Sequence, residues 1–412
     1  MHWKQLVLLG TVTTLATAAS HSASADEEAL QREIAKQQAA FGDCVQQLQS
    51  TAEEQGLTSD KVRESLAGVS FTARVLELDR RQPEFTTPFY DYFNRRVTDQ
   101  RVREGRRLLE EHGELLRQVE QEYGVPAAYL VSFWGLETNF GSYFGKMRVL
   151  DSLATLACDQ RRSGYFTREL MAALGIIEEG AIVPERMEGS WAGAMGHVQF
   201  MPSVFNRFAV DYDGDGRRDL WNSLPDAMAS AANFLKHLGW DSDYRWGREV
   251  ILPENFPYLE AGMRNRRTLA DWQQAGVRLT SGADLPDAEL EASLLVPAGH
   301  RGPAFLVYDN FRVIMGWNQS EYYAIAVGHL ADRIAGAGEL HRSPPGDAPR
   351  LSRDQVMEMQ EILKEAGHDV GPVDGIWGPA TRRGLSQFQD QKGMVPDGFP
   401  SKAVLDKLGM KI

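Results

Sequence analysis

Cysteine is almost missing from this chain, with two residues, Cys44 and Cys158, in 412. That excludes a disulfide-stapled miniprotein and a thiolate-rich metal centre, and leaves either one disulfide in an oxidising compartment or two buried thiols. Positive charge is also short. Lys and Arg number 44 against 57 Asp and Glu, a net charge of −13, and the missing basic stripe excludes a nucleic-acid partner. The nine histidines form no cluster and no His-Glu-x-x-His, so they read as surface or satisfied core residues. Neither a phosphate-cradling P-loop nor a Gly-x-Ser-x-Gly elbow is present. No apolar run reaches the ~20 residues a membrane span needs. The remainder, 43 % hydrophobic and 25 % charged, is the composition of an ordinary globular chain.

One short apolar run, Leu6 to Ala18, follows Lys4 and precedes the small-x-small Ala23-Ser24-Ala25 and the acidic Asp26-Glu27-Glu28. This pattern predicts a cleaved secretory leader over 1–25, hence a periplasmic protein without a stable membrane anchor. Export favours a Cys44–Cys158 bond over two thiols left open to oxidation.

Helical spacing dominates from Glu27 onward. Glu104–Tyr123 reads as one long charged helix, broken by Gly124-Val125-Pro126, and helices continue to Leu238 with Gly239 as a stop. Over about 245–315 the texture turns to short Gly- and Pro-punctuated runs. There Ser293–Val296 and Ala304–Tyr308 read as strands, with Asp309-Asn310 turning into a further extended run, Phe311–Ile314. A helix follows over Ser320–Ile334. The stretch 341–350, with three prolines and no periodic apolar residue, reads as a semi-rigid linker before a last helical module over 351–412.

The chemistry concentrates in Pro126–Gly141. In a helix, Leu130, Phe133, Trp134 and Glu137 fall at i, i+3, i+4 and i+7, so one carboxylate sits on an apolar, aromatic stripe near the helix C-terminus. Desolvation beside rings and the negative end of the helix dipole both favour the protonated acid. A protonated carboxyl near neutral pH is what a general acid needs to donate to a glycosidic oxygen.

Trp134-Gly-Leu-Glu-Thr-Asn-Phe-Gly141, Gly193-Ala-Met-Gly-His-Val-Gln-Phe-Met-Pro202, Asp211-Tyr-Asp-Gly-Asp-Gly-Arg-Arg-Asp-Leu-Trp221 and Asn318-Gln-Ser-Glu-Tyr-Tyr-Ala324 stand in this order. Together they resemble the motifs of the B-type lytic murein transglycosylases over roughly residues 30–335. The resemblance implies a mainly α protein: a lysozyme-like α+β catalytic region over 26–340, with a helical N-terminal part and a small β-containing subdomain. It implies non-hydrolytic cleavage of the β-1,4 bond between N-acetylmuramic acid and N-acetylglucosamine, leaving 1,6-anhydromuramoyl ends. Glu137 carries over as the sole acid/base, and no cofactor is required. Ser190, Gln199, Asn318, Tyr323, Trp317, Phe234 and Tyr92 carry over as glycan-binding residues, with Tyr323 a partner for Glu137. The family commonly has Tyr where Trp317 and Phe234 stand, so these two are expected to stack but not to hydrogen-bond. Gly193 and Gly196 are expected to let backbone approach the sugar.

Asp211-x-Asp213-x-Asp215-Gly216 has the spacing of an EF-hand loop, with Asn222 in place of the closing glutamate. Oxygen ligands of this kind suit a structural Ca²⁺, held by Asp211, Asp213, Asp215, the Arg217 carbonyl and, in a longer loop, Asp226. The alternative is a pair of metal-free Asp-Gly turns.

Leu351–Gly409, with Gly371-Pro-Val-Asp-Gly-Ile-Trp-Gly-Pro-Ala-Thr381, resembles the three-helix peptidoglycan-binding domain. Its core is expected from Leu363, Ile376, Leu385 and Phe388. The implied partners are peptidoglycan strands, besides cell-wall enzymes of no identity legible here. Two other functions stay open: a hydrolytic muramidase using a second carboxylate, and a non-catalytic wall-binding scaffold.

Overall fold

The computed structural model describes residues 16–81 and 87–410. The leader expected over 1–25 therefore lies, in its first fifteen residues, outside the described residues. Helices run from Ala16–Glu54 through Ala127–Thr138 and continue to Leu224–His237. The first is fastened to the body at several points, among them a Gln37 Nε2 bond to Asp159 at 2.9 Å. Cys44 is disulfide-bonded to Cys158, and Arg80 bridges Glu33 (2.7 Å) and Asp159 (2.8 Å). The expected long helix over Glu104–Tyr123 is in fact two, Asp99–Glu111 and Gly113–Tyr123, parted at His112. Gly113, a poor interior helix residue, opens the second.

The β-containing part is a five-stranded antiparallel sheet. Its order is Arg266–Thr268, Glu291–Leu295, Ala304–Val307, Gly247–Ile251, Arg278–Leu279. Ala304–Val307 is buried at every residue, because both faces of the sheet are covered. Ala304 and Leu306 pack on a local core around Trp272 and Phe256, while Phe305 and Val307 join the main core. That is why the strand reads as a continuous apolar run without alternation.

Phe311–Ile314 is not a strand. Asp309–Trp317 is a helix, in which Phe311 and Ile314 share the inner face. Asn310 anchors its start, its Nδ2 donating to the carbonyls of Asp241 (2.7 Å) and Tyr244 (2.6 Å). Ser320 then caps Glu321–Ile334 by accepting the Tyr323 amide.

The C-terminal module has its own core of Val356, Met359, Leu363, Val370, Leu385, Phe388, Val404 and Leu405. Ile376, expected there, stays half-exposed. Two buried glutamines build two similar loops. The Gln360 Oε1 accepts the amides of Asp374 and Gly375, and the Gln389 Oε1 accepts that of Gly398. The 341–350 segment is no free spacer. Glu249 accepts the amides of His341 (2.6 Å) and Arg342 (2.8 Å), Arg301 pairs with Asp347 (2.8 Å), and Arg350 pairs with Asp91 (2.8 Å).

Candidate active site

Glu137 is the penultimate residue of Ala127–Thr138. The expected single apolar stripe gives way to burial on every side, and only Ala128 and Glu137 of this helix are partly exposed. A helix apolar all round belongs in a core, so the carboxylate is carried on a rigid element. Ser132 ties that element to Glu321–Ile334, donating to the Val327 carbonyl at 2.7 Å.

Two donors meet one carboxylate oxygen. The Tyr323 hydroxyl donates to Glu137 Oε1 at 2.5 Å, and the Trp317 indole N–H donates to the same Oε1 at 3.0 Å. Trp317 thus hydrogen-bonds after all. The larger indole reaches with its ring nitrogen where a phenol would use its oxygen. Phe133, one turn before Glu137, supports both donors, with ring centroids 4.5 Å from Trp317 and 6.2 Å from Tyr323. Burial, and then the Glu137 charge, push the Tyr323 phenol well above its usual value, so it stays a donor across the physiological range.

The helix end is locked to the 193–200 loop through His197. Trp134 Nε1 donates to His197 Nδ1 at 2.9 Å, and Thr138 Oγ1 donates to the His197 carbonyl at 2.9 Å. Burial pushes the His197 imidazole down to about 4; it is neutral near pH 7, which leaves Nδ1 able to accept. Gly141 is required here. Its φ is +76°, and a Cβ would come within 2.4 Å of the His197 ring. Three non-glycine residues with positive φ, Asn139, Phe140 and Gln199, gather around this junction, as strained backbone does at functional sites.

The other expected binding residues surround this centre unequally. Gln199 links the loop after Glu137 to its own loop, its amide nitrogen donating to the carbonyls of Phe144 (3.1 Å) and Gly196 (3.0 Å). The Ser190 hydroxyl accepts the amides of Ala192 (3.3 Å) and Ala194 (3.0 Å). Asn318 is exposed and accepts the Ser320 amide. Phe234 is buried beneath Trp317 (5.4 Å between centroids) and Phe200. Tyr92 is buried against Tyr322 (6.1 Å), with the Arg96 guanidinium over its ring. Gly193 and Gly196 let neighbouring protein approach closely. Their Cβ positions fall 2.5 Å from Leu153 and 2.5 Å from the Leu220 carbonyl. Trp317 as a donor and His197 as a lock carried no sequence signal beyond their motifs.

In the acidic loop, carboxylate oxygens of Asp211, Asp213 and Asp226 lie within 4.8 Å of one another. Asp215 stands outside this group and accepts the Arg217 amide at 2.8 Å. Asp226 is fully buried and accepts the amides of Tyr212, Asp213 and Asp219. Its carboxyl is raised above the usual range, by burial first. An all-oxygen set with a buried carboxylate at its base fits Ca²⁺ better than a soft metal.

A half-buried acid on a central helix, flanked by two aromatic donors in a mainly helical body, defines a lysozyme-like, glycan-cleaving enzyme. Residues 40–332 match the family described as the transglycosylase SLT domain, and residues 352–408 match the putative peptidoglycan binding domain. The chain belongs to the SLT family of lytic transglycosylases. It is 34 % identical over 247 residues to membrane-bound lytic murein transglycosylase B of Escherichia coli (strain K12), a match over 59 % of this chain and 66 % of that relative's own length. SltB3 from Pseudomonas aeruginosa, solved in complex with NAG-anhNAM-pentapeptide, is 44 % identical, with TM-score 0.86 over 90 % of this chain and 99 % of that one. Escherichia coli Slt35, solved in complex with calcium, is 31 % identical, with TM-score 0.63 over 71 % of this chain and 92 % of that one.

Proposed function

We propose that this chain is an exported lytic transglycosylase. It cleaves the β-1,4 bond between N-acetylmuramic acid and N-acetylglucosamine in peptidoglycan without water and leaves 1,6-anhydromuramoyl ends. The observation that carries the reading is the seating of Glu137 Oε1 between the Trp317 and Tyr323 donors. As the acid, Glu137 protonates the leaving glycosidic oxygen. As the carboxylate, steadied by both donors, it takes the proton from the muramoyl C6 hydroxyl, whose oxygen closes on C1. Most glycosidases need a second carboxylate to supply a nucleophile or activate water. Here the substrate supplies the nucleophile, and no cofactor enters.

Ser190 and Gln199 shape the loop beside the acid, Asn318 offers an exposed amide, and Trp317 presents a ring edge to the sugar. Phe234 and Tyr92 act beneath them as packing. Asp211, Asp213 and Asp226 would hold a structural Ca²⁺ that braces the loop leading to Gln199. The 1–25 leader directs export to the periplasm, 26–340 forms the catalytic region, and 351–412 binds the wall. Among the described residues no helix is long and apolar enough to cross a membrane.

Digestion of purified sacculi, with product ends identified by mass spectrometry, tests this reading. Anhydro ends are expected, and reducing ends would make the enzyme a hydrolase. Glu137→Gln is expected to lose ~10²–10⁴-fold in turnover while still sedimenting with sacculi.

A further inference from the structure

The first turn of Glu321–Ile334 is gripped from two sides. On one side, Tyr323 donates to Glu137. On the other, Glu321, with its side chain 5 % exposed, forms an ion pair with Arg382 of the C-terminal module, itself 19 % exposed. Tyr322, between them, lies under the Arg382 guanidinium (5.8 Å to the ring centroid), donates to the Pro297 carbonyl at 3.4 Å, and packs on Phe89 at 5.1 Å. Ser320, the N-cap, fixes where the turn begins. Three consecutive residues on one helical turn move as a unit, so whatever holds Glu321 and Tyr322 also sets the reach of Tyr323.

The other fasteners lie elsewhere. Arg350–Asp91 and Arg301–Asp347 tie the 341–350 segment to the body through largely exposed side chains, and pairs of this sort contribute little. Asp397 of the module, its side chain 3 % exposed, accepts the His300 amide at 2.9 Å and pairs with the His300 ring, but neither residue lies on the helix that carries Tyr323. Glu321–Arg382 is a buried pair. Removal of its cation leaves a carboxylate in a desolvated site, which drives the turn to rearrange toward water.

We propose that the C-terminal module is part of the catalytic apparatus as a positioning element. Arg382, acting through Glu321, holds the helix turn in the register that places Tyr323 on Glu137. The proposal rests on the reading of Glu137 as the acid/base. Arg382 and Glu321 touch no substrate in this scheme and are positioning residues.

The test uses the full chain and a soluble, uncrosslinked glycan fragment too short to need wall attachment, with kcat and KM measured for release of anhydro product. Arg382→Met is expected to lower kcat about tenfold or more with KM unchanged within about twofold. The charge-free pair E321Q/R382M is expected to recover most of that loss, because no unpaired buried charge remains. Arg301→Ala is expected to match the wild type. A module that serves only as a tether gives the opposite result: R382M keeps wild-type kcat on the fragment and loses only sacculus binding, which overturns the proposal. So does a double variant as slow as R382M. If R382M does not fold, Glu321→Gln decides, since it breaks the pair from the other side: lowered kcat at unchanged KM supports positioning, and wild-type kcat refutes it. Wild type and E137Q run alongside; turnover persisting in E137Q indicts the acid/base assignment instead of the module's role.

Discussion

The indole of Trp317 donates to the same oxygen of Glu137 that accepts from Tyr323, at 3.0 Å. A hydrogen bond to a charged group is worth about 1.5–3 kcal/mol, or roughly 10–100-fold in rate where it acts in the transition state. Trp317→Phe keeps the ring and removes the N–H, so kcat is expected to fall within that range. Trp317→Tyr, which restores a donor, is expected to recover part of it. Steady-state kinetics on a soluble glycan decide, and a fully active W317F would show that the N–H has no catalytic part.

Acid should destabilise the fold through two rings. Burial pushes both His197 and His329 down to about 4 from the usual 6.5. Above pH 6.5 neither state holds the proton and the full stability is present. As pH falls from 6.5 toward 4 the unfolded chain protonates first and stability is lost, by at most ~1.4 kcal/mol per pH unit for each ring. Melting temperature measured across that window is expected to drop, and less steeply in His329→Gln. An identical slope in the variant would remove His329 as a source of the loss.

Calcium should raise the melting temperature of metal-stripped protein. With Asn222 where an EF-hand has its bidentate glutamate, affinity is expected to be weak. At ~100-fold excess over Kd the gain is about 2.7 kcal/mol. Asp213→Asn is expected to abolish the shift and Asp215→Asn to spare it, since Asp215 lies outside the converging set. Equal shifts in all three proteins would place any bound ion elsewhere.

The Cys44–Cys158 bond closes a sequence separation of 114 residues. Loop-closure entropy gives it about 4–5 kcal/mol. C44A/C158A is expected to melt well below the wild type in calorimetry. A change under ~1 kcal/mol would mean that Arg80, Glu33 and Asp159 already fix that helix.

The acid helix was legible because its signal is local. Leu130, Phe133 and Glu137 share a face by spacing alone, and Pro126 marks its start. The helix over Ser320–Ile334 and the strand at Ala304–Val307 were legible for the same reason. What escaped depends on partners distant in sequence. Phe311–Ile314 has the composition of a strand, yet Asn310 finds two carbonyls near Tyr244 and starts a helix instead. Trp317 lacks a phenol, and only the fold reveals that its nitrogen arrives at Glu137. That Leu153 and the Leu220 carbonyl crowd Gly193 and Gly196 is a tertiary fact with no local signal. The linker's prolines predicted stiffness; its pairing with Glu249, Arg301 and Asp91 was invisible.

That strapped segment bears on how the wall is cut. A module on a slack chain would sample many distances from its partner and raise only local concentration. Held through Arg382 and Asp397 and strapped at Glu249, this one stands at a set spacing from the acid. A glycan strand seized by the module is then measured as if by a ruler, and the lengths of the fragments released should cluster around one value.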